Sequence, residues 1–145
     1  MSALSPRLAA IVDALPLTPG MRVLEIGGGP GAAARVIAGR IGHGHICMID
    51  RSAKSIAQTE KNAAAEIHAG RMSVRQVAVE DFELAADEQP FDLAFAIRVG
   101  ALDGRHPKAG QIALKRIADA LTPKGRLFVD GANPLREIPL PSPNN

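Results

Sequence analysis

The sequence predicts a doubly wound α/β domain built on a mostly parallel sheet of about five strands. Three observations carry that expectation. Short apolar runs of strand length alternate with helical periodicities along the chain, the pattern of a parallel sheet with right-handed crossovers. The run Ile46-Cys47-Met48-Ile49 is apolar without alternation, which suits a strand covered on both faces. The chain has 145 residues, which fits one such domain.

The elements follow in order. Ser5-Pro6 opens a helix as N-cap and first-turn proline, and Leu8, Ile11, Val12 and Leu15 repeat on one face before Pro16 ends it. Thr18-Pro19-Gly20 is a turn. Arg22 to Ile26 is a strand that runs into glycines, and Gly31 to Ile41 is helical. Ile46 to Ile49 forms a second strand, ended by Asp50. Ser52 caps a long helix to His68, with Gly70 as its stop. Met72 to Val79 is a third strand, Glu80 to Ala86 a short acidic helix or loop, and Phe91 to Ile97 a fourth strand. Gly110 to Leu121 is a helix with Leu114, Ile117, Ala118 and Leu121 on its apolar face. Thr122 to Gly125 is a turn, and Arg126 to Val129 a fifth strand. The domain is expected to occupy residues 1–131. Residues 132–145, which include Pro134, Pro139, Pro141 and Pro143, are expected to form an extended or disordered tail.

Composition narrows the function classes. Apolar residues make up 46% of the chain and charged residues 22%, ordinary for a globular domain, so the chain should fold. The net charge of +2 is spread without a basic run, which argues against nucleic acid as a partner. The single cysteine, Cys47, excludes an intrachain disulfide and reads as a buried structural thiol. No apolar stretch is long enough to span a bilayer, and Arg7 and Asp13 interrupt the N-terminal apolar run, so no membrane is expected and the cytoplasm is the expected location. His43 and His45 lack a carboxylate or cysteine cluster at ligand spacing, so no metal is expected.

The most informative segment is Val23-Leu24-Glu25-Ile26-Gly27-Gly28-Gly29-Pro30-Gly31. A glycine loop between strand and helix lets a ligand approach the main chain, and the helix N-terminus beyond it presents unpaired N–H groups. Gly27, Gly29 and Ala32 also satisfy the dinucleotide form of this loop, so an NAD(P)-dependent oxidoreductase is one alternative. Glu25 weighs against it. A carboxylate two residues before the first glycine repels a pyrophosphate and suits a ligand that carries positive charge.

With these residues in view, the chain resembles a small, C-terminally short class I S-adenosylmethionine-dependent methyltransferase over roughly residues 20 to 131. The E-x-G-x-G-x-G loop from Glu25 to Gly31 is the first point of likeness. Asp50, at the end of the second strand and 23 residues after Gly27, is the second. Val77-Ala78-Val79-Glu80-Asp81-Phe82, Phe91 to Ala96 and the turn Leu121-Thr122-Pro123-Lys124-Gly125-Arg126-Leu127 are the others. Two departures stand out: Ala78 replaces a polar residue, and Lys124 replaces a glycine.

The resemblance implies a Rossmann-like sheet in the order 3-2-1-4-5 and a cofactor site for S-adenosylmethionine, whose product is S-adenosylhomocysteine. It implies that Glu25, Gly27, Gly28, Gly29, Gly31, Asp50, Arg51, Val79, Glu80 and Arg98 hold the cofactor, with Asp50 on the ribose hydroxyls and Val79, Glu80 or Asp81 near adenine. Phe82 packs on the adenine ring or in the core. The family's C-terminal antiparallel hairpin is expected to be absent, which leaves the fifth strand as an exposed edge and a surface for homodimerisation.

The loop from Arg98 to Lys108 faces the acceptor side with Arg98, Asp103, Arg105 and His106. His106 is the candidate general base, and Arg98 and Arg105 are candidates to hold an anionic acceptor. The leading expectation is an enzyme that methylates a small molecule. The alternative is a non-catalytic partner or regulatory subunit with a truncated methyltransferase fold that holds the cofactor, or keeps only the fold.

Overall fold

One sheet of six strands, in the order β3-β2-β1-β4-β5-β6, runs through a computed structural model that describes residues 4–102 and 105–141. β1 (Arg22–Ile26), β2 (His45–Asp50), β3 (Met72–Gln76), β4 (Phe91–Ala96) and β5 (Leu121–Asp130) are mutually parallel, and β6 (Leu135–Ile138) is antiparallel to β5. The expected order of the first five strands is the observed one. Strand order reverses between β1 and β4, so the loops at their carboxyl ends face one crevice.

Side chains alternate across the sheet, and each face has its own core. Val23, Ile46, Met48, Leu93 and Phe95 pack with Ile37 and Ile41 around α2 (Ala32–Arg40) and with Val12 of α1 (Pro6–Ala14). Leu24, Cys47, Ile49, Ala94 and Leu127 pack on the other face with Phe82, Phe91 and, from α5 (Pro107–Ala120), Ala113 and Ile117. Cys47 is fully buried, and burial pushes its thiol pKa up, as an inert structural thiol requires. Phe82 is 1% exposed with its ring centroid 6.5 Å from that of Phe91, so it belongs to the core and does not face a ligand.

Several boundaries differ from expectation for identifiable reasons. The helix after Ser52 divides at Ala63 into α3 (Ala53–Asn62) and α4 (Ala64–His68), although no glycine or proline marks the division. α5 begins at Pro107, not Gly110, because proline suits the first helical turn. β5 begins five residues early: Leu121 pairs with Phe91, and the register then shifts before Arg126 pairs with Leu93. The shift bulges residues 122–125 out of the ladder, where Pro123 donates no bond.

The largest correction concerns the C-terminal segment. Residues 135–138, expected in a tail outside the sheet, form its sixth strand: Pro134 and Pro139 bracket the four residues without interrupting them. Leu127 pairs with Ile138 and Asp130 with Leu135, so the edge of β5 offered as a homodimer surface is occupied by the same chain. Residues 142–145 of the proposed tail lie outside the described residues.

His45 is committed to the fold. Its two ring nitrogens lie 2.8 Å from the Gly70 carbonyl and 2.8 Å from Ser73 Oγ, which ties β2 to the entry of β3. Next to it, a Cβ on Gly44 would sit 2.1 Å from the Met21 carbonyl oxygen, a backbone atom. Gly44→Ala should therefore lower stability by about 1–3 kcal/mol. A lower midpoint in urea with an unchanged slope is the expected result.

Candidate functional site

The carboxyl ends of β1, β2, β3 and β4 open onto one cavity of about 480 Å³. Gly27, Asp50, Arg51, Val79, Glu80, Arg98 and His106, all singled out from the sequence, line it. Ile26, Ile49, Val77, Ala78, Val99, Gly100 and Ala109 complete the wall. Ile26 and Ile49 were legible as strand ends. Ala109 comes from the first turn of α5, whose early start the sequence reading missed. Asp103 lies outside the described residues.

The remaining predicted residues stand behind this wall. Gly27, Gly29 and Gly31 take φ of +73°, +59° and +86°, the left-handed region open to glycine, and turn the chain from β1 into α2. Gly28 serves a different end. A Cβ there would fall 2.4 Å from Met48 Cγ and Sδ and 2.9 Å from the Glu25 carboxyl carbon, so the loop lies directly on two buried side chains.

The loop's own donors are nearly all engaged. Gly27 N–H donates to the Ile49 carbonyl at 2.7 Å, Gly29 N–H to Asp50 Oδ2 at 3.1 Å, and Gly31 N–H to the Gly28 carbonyl at 3.1 Å. Pro30 has no N–H. Within the loop only Gly28 N–H has no partner among the described residues.

Two carboxylates flank the loop. Glu25 is 3% exposed, and its Oε1 is buried with no hydrogen-bond partner among the described residues. Burial, aided by the nearby Asp50 carboxylate, pushes its pKa up to about 8. Asp50 Oδ1 accepts the Ser52 N–H at 2.9 Å, so one carboxylate at the end of β2 fixes both the glycine loop and the turn into α3.

Arg98 follows β4 with φ +58°, the only non-glycine residue with positive φ among those described. Its N–H donates to Asp130 Oδ1 at 3.1 Å, while Asp130 Oδ2 accepts from Arg7 at 2.6 Å. A bond to the end of β5 thus fixes an unfavourable backbone conformation that sets Arg98 in the cavity wall. His106, exposed, immediately precedes α5. Among the described residues no group of three or more His, Cys, Asp or Glu is placed to hold a metal ion, and no helix is long and apolar enough to cross a membrane.

These features can be set beside known proteins. A family model described as a methyltransferase domain matches residues 23–125, from β1 to the bulge of β5. The chain belongs to this family.

The chain is 31% identical over 120 residues to the ubiquinone/menaquinone biosynthesis C-methyltransferase of Ruegeria sp. (strain TM1040), an alignment that covers 83% of this chain and 46% of the relative. Its fold matches an S-adenosylmethionine-dependent methyltransferase of Thiobacillus denitrificans in complex with S-adenosylhomocysteine, at a TM-score of 0.66 and 24% identity over 87% of this chain and 48% of that one. It matches the cyclase SpnF equally well, at a TM-score of 0.67 and 24% identity over 84% of this chain and 42% of that one. The chain thus spans less than half the length of each. The family match sets the dinucleotide alternative aside, and the fold is the one shared with the S-adenosylmethionine-dependent methyltransferase of Thiobacillus denitrificans.

Proposed function

We propose that this chain binds S-adenosylmethionine in the cavity above Gly27 and transfers its methyl group to a small-molecule acceptor. The observation that carries the reading is the pair of carboxylates, Glu25 and Asp50, that flank the glycine loop. Glu25 lies beneath Gly28 and outside the cavity lining, so it acts on the cofactor through charge and not through contact: an ammonium and a sulfonium in the cavity favour its ionised form. Asp50, at the cavity wall, has lone pairs left for a diol after its two backbone bonds. Val77 and Val79 supply apolar wall, and Arg98 supplies a cation for a carboxylate.

When bound, the cofactor supplies an electrophilic methyl group at its sulfonium centre. The protein's part is chiefly alignment, which contributes roughly 7–11 kcal/mol in well-oriented reactions. A hydroxyl or amine acceptor must also lose a proton, and His106 is the imidazole in the wall that is suited to take it.

A thermal melt with S-adenosylmethionine, S-adenosylhomocysteine and NAD in parallel tests the reading. A ligand at 100 times its dissociation constant stabilises by about 2.7 kcal/mol, a shift of roughly 5–11 °C at this chain length. A shift with both sulfur nucleosides and none with NAD is expected. No shift with either would leave a fold without its cofactor and move the non-catalytic partner reading to first place.

A further inference from the structure

The glycine loop is held from a side that no ligand reaches. Thr59, in the middle of α3, is completely buried, and it does not line the cavity. Its hydroxyl donates to the Gly29 carbonyl at 2.7 Å, while Asp50 accepts the N–H of the same residue. Both polar groups of Gly29 are thereby clamped from opposite sides. The Thr59 methyl fills the space beside Gly31, where a Cβ would come within 2.7 Å of Thr59 Cγ2. Nearly one turn further along, Asn62 Nδ2 donates to the Pro30 carbonyl at 3.2 Å. Two consecutive loop carbonyls are therefore turned towards α3, which is the orientation that leaves Gly27 at the cavity wall.

We propose that Thr59, assisted by Asn62, is a positioning residue for S-adenosyl ligand binding, holding the Gly27–Gly31 loop in its ligand-accepting turn from the helix behind it. The inference rests on the cofactor reading above for its ligand, and on Thr59 alone for its mechanism. A loop with three left-handed glycines has many conformations to lose on binding, and a hydroxyl that removes them beforehand raises affinity without touching the ligand.

The test compares Thr59→Val, which keeps the packing and loses the hydroxyl, with Thr59→Ser, which keeps the hydroxyl and loses the methyl. Asn62→Ala, an exposed change, serves as a third variant. S-adenosylhomocysteine affinity should fall about tenfold in Thr59→Val, the effect of about one hydrogen bond. It should fall only about twofold in Thr59→Ser, and about threefold in Asn62→Ala. Amide hydrogen exchange in the ligand-free protein supplies a second readout: the Gly29 and Gly31 amides should exchange about tenfold faster in Thr59→Val and near the native rate in Thr59→Ser. Unchanged affinity in Thr59→Val, or parallel losses in the valine and serine variants that follow their melting temperatures, would overturn the proposal. A wild-type protein that fails to bind the nucleoside would overturn the cofactor reading, and the exchange rates would still decide whether the Thr59 hydroxyl orders the loop.

Discussion

Glu25→Gln should stabilise the ligand-free protein at alkaline pH and weaken it as a binder. The folded protein keeps the Glu25 proton up to about pH 8, whereas an unfolded chain releases it near 4.5. Between these values the unfolded state binds fewer protons, so stability falls as pH rises from about 4.5 to about 8 and levels off above. The full span corresponds to roughly 5 kcal/mol at about 1.36 kcal/mol for each decade of proton affinity. Glutamine has no such titration. The two proteins should be nearly matched at pH 4.5 and should diverge by up to roughly 5 kcal/mol at pH 8 or above in favour of the variant. Urea denaturation of both across pH 5 to 9 checks this, and parallel curves would remove Glu25 as their source. Ligand affinity should move the other way: the wild type should bind the cationic cofactor more tightly as pH rises towards 8, because the ligand's charge favours ionised Glu25, while the variant's affinity should stay flat.

That prediction depends on a feature that was only half legible in the sequence. Glu25 was visible at its fixed offset before the glycines, but as a carboxylate facing the ligand. Its burial follows from the sheet: Glu25 pairs with Met48 and Phe95 on a central strand covered by α2, so its side chain enters the core face and lies under Gly28. Asp50 and Arg98 were legible for a simpler reason, since they directly follow apolar strands and strand ends meet in the crevice. Thr59 carried no signal. It lies 30 residues from Gly29 along the chain, and only the phase of α3 brings the two together. The five parallel strands could be read because buried parallel strands are short apolar runs. β6 could not, because a four-residue edge strand needs no core pattern, and the flanking prolines read as disorder when they merely delimit it.

Asp50→Ala should cause the largest loss of affinity of any single change at the site, because three functions meet at that carboxylate. It accepts the Gly29 N–H and the Ser52 N–H, it lines the cavity, and its charge helps keep Glu25 protonated. Hydrogen bonds to a charged group contribute about 1.5–3 kcal/mol each, so the ligand-free alanine variant should be destabilised by about 2–4 kcal/mol, less than two full bonds because water can reach the half-buried turn. Affinity for S-adenosylhomocysteine should fall by at least about 100-fold, the effect of two lost bonds to a diol on top of a loosened loop. Asp50→Asn should be intermediate in both respects. Its single carbonyl oxygen can accept one backbone N–H, while its amide group would oppose the other as a second donor. Both variants should also let Glu25 ionise at lower pH in the folded state, since the repelling charge is gone, so the stability loss described above should still begin near pH 4.5 but level off earlier and be smaller in total. Nucleoside titration together with pH-dependent denaturation separates the roles. Lost affinity with an unmoved pH profile would make Asp50 a ligand contact alone. A moved profile with retained affinity would make it a brace for the loop and place the ribose elsewhere.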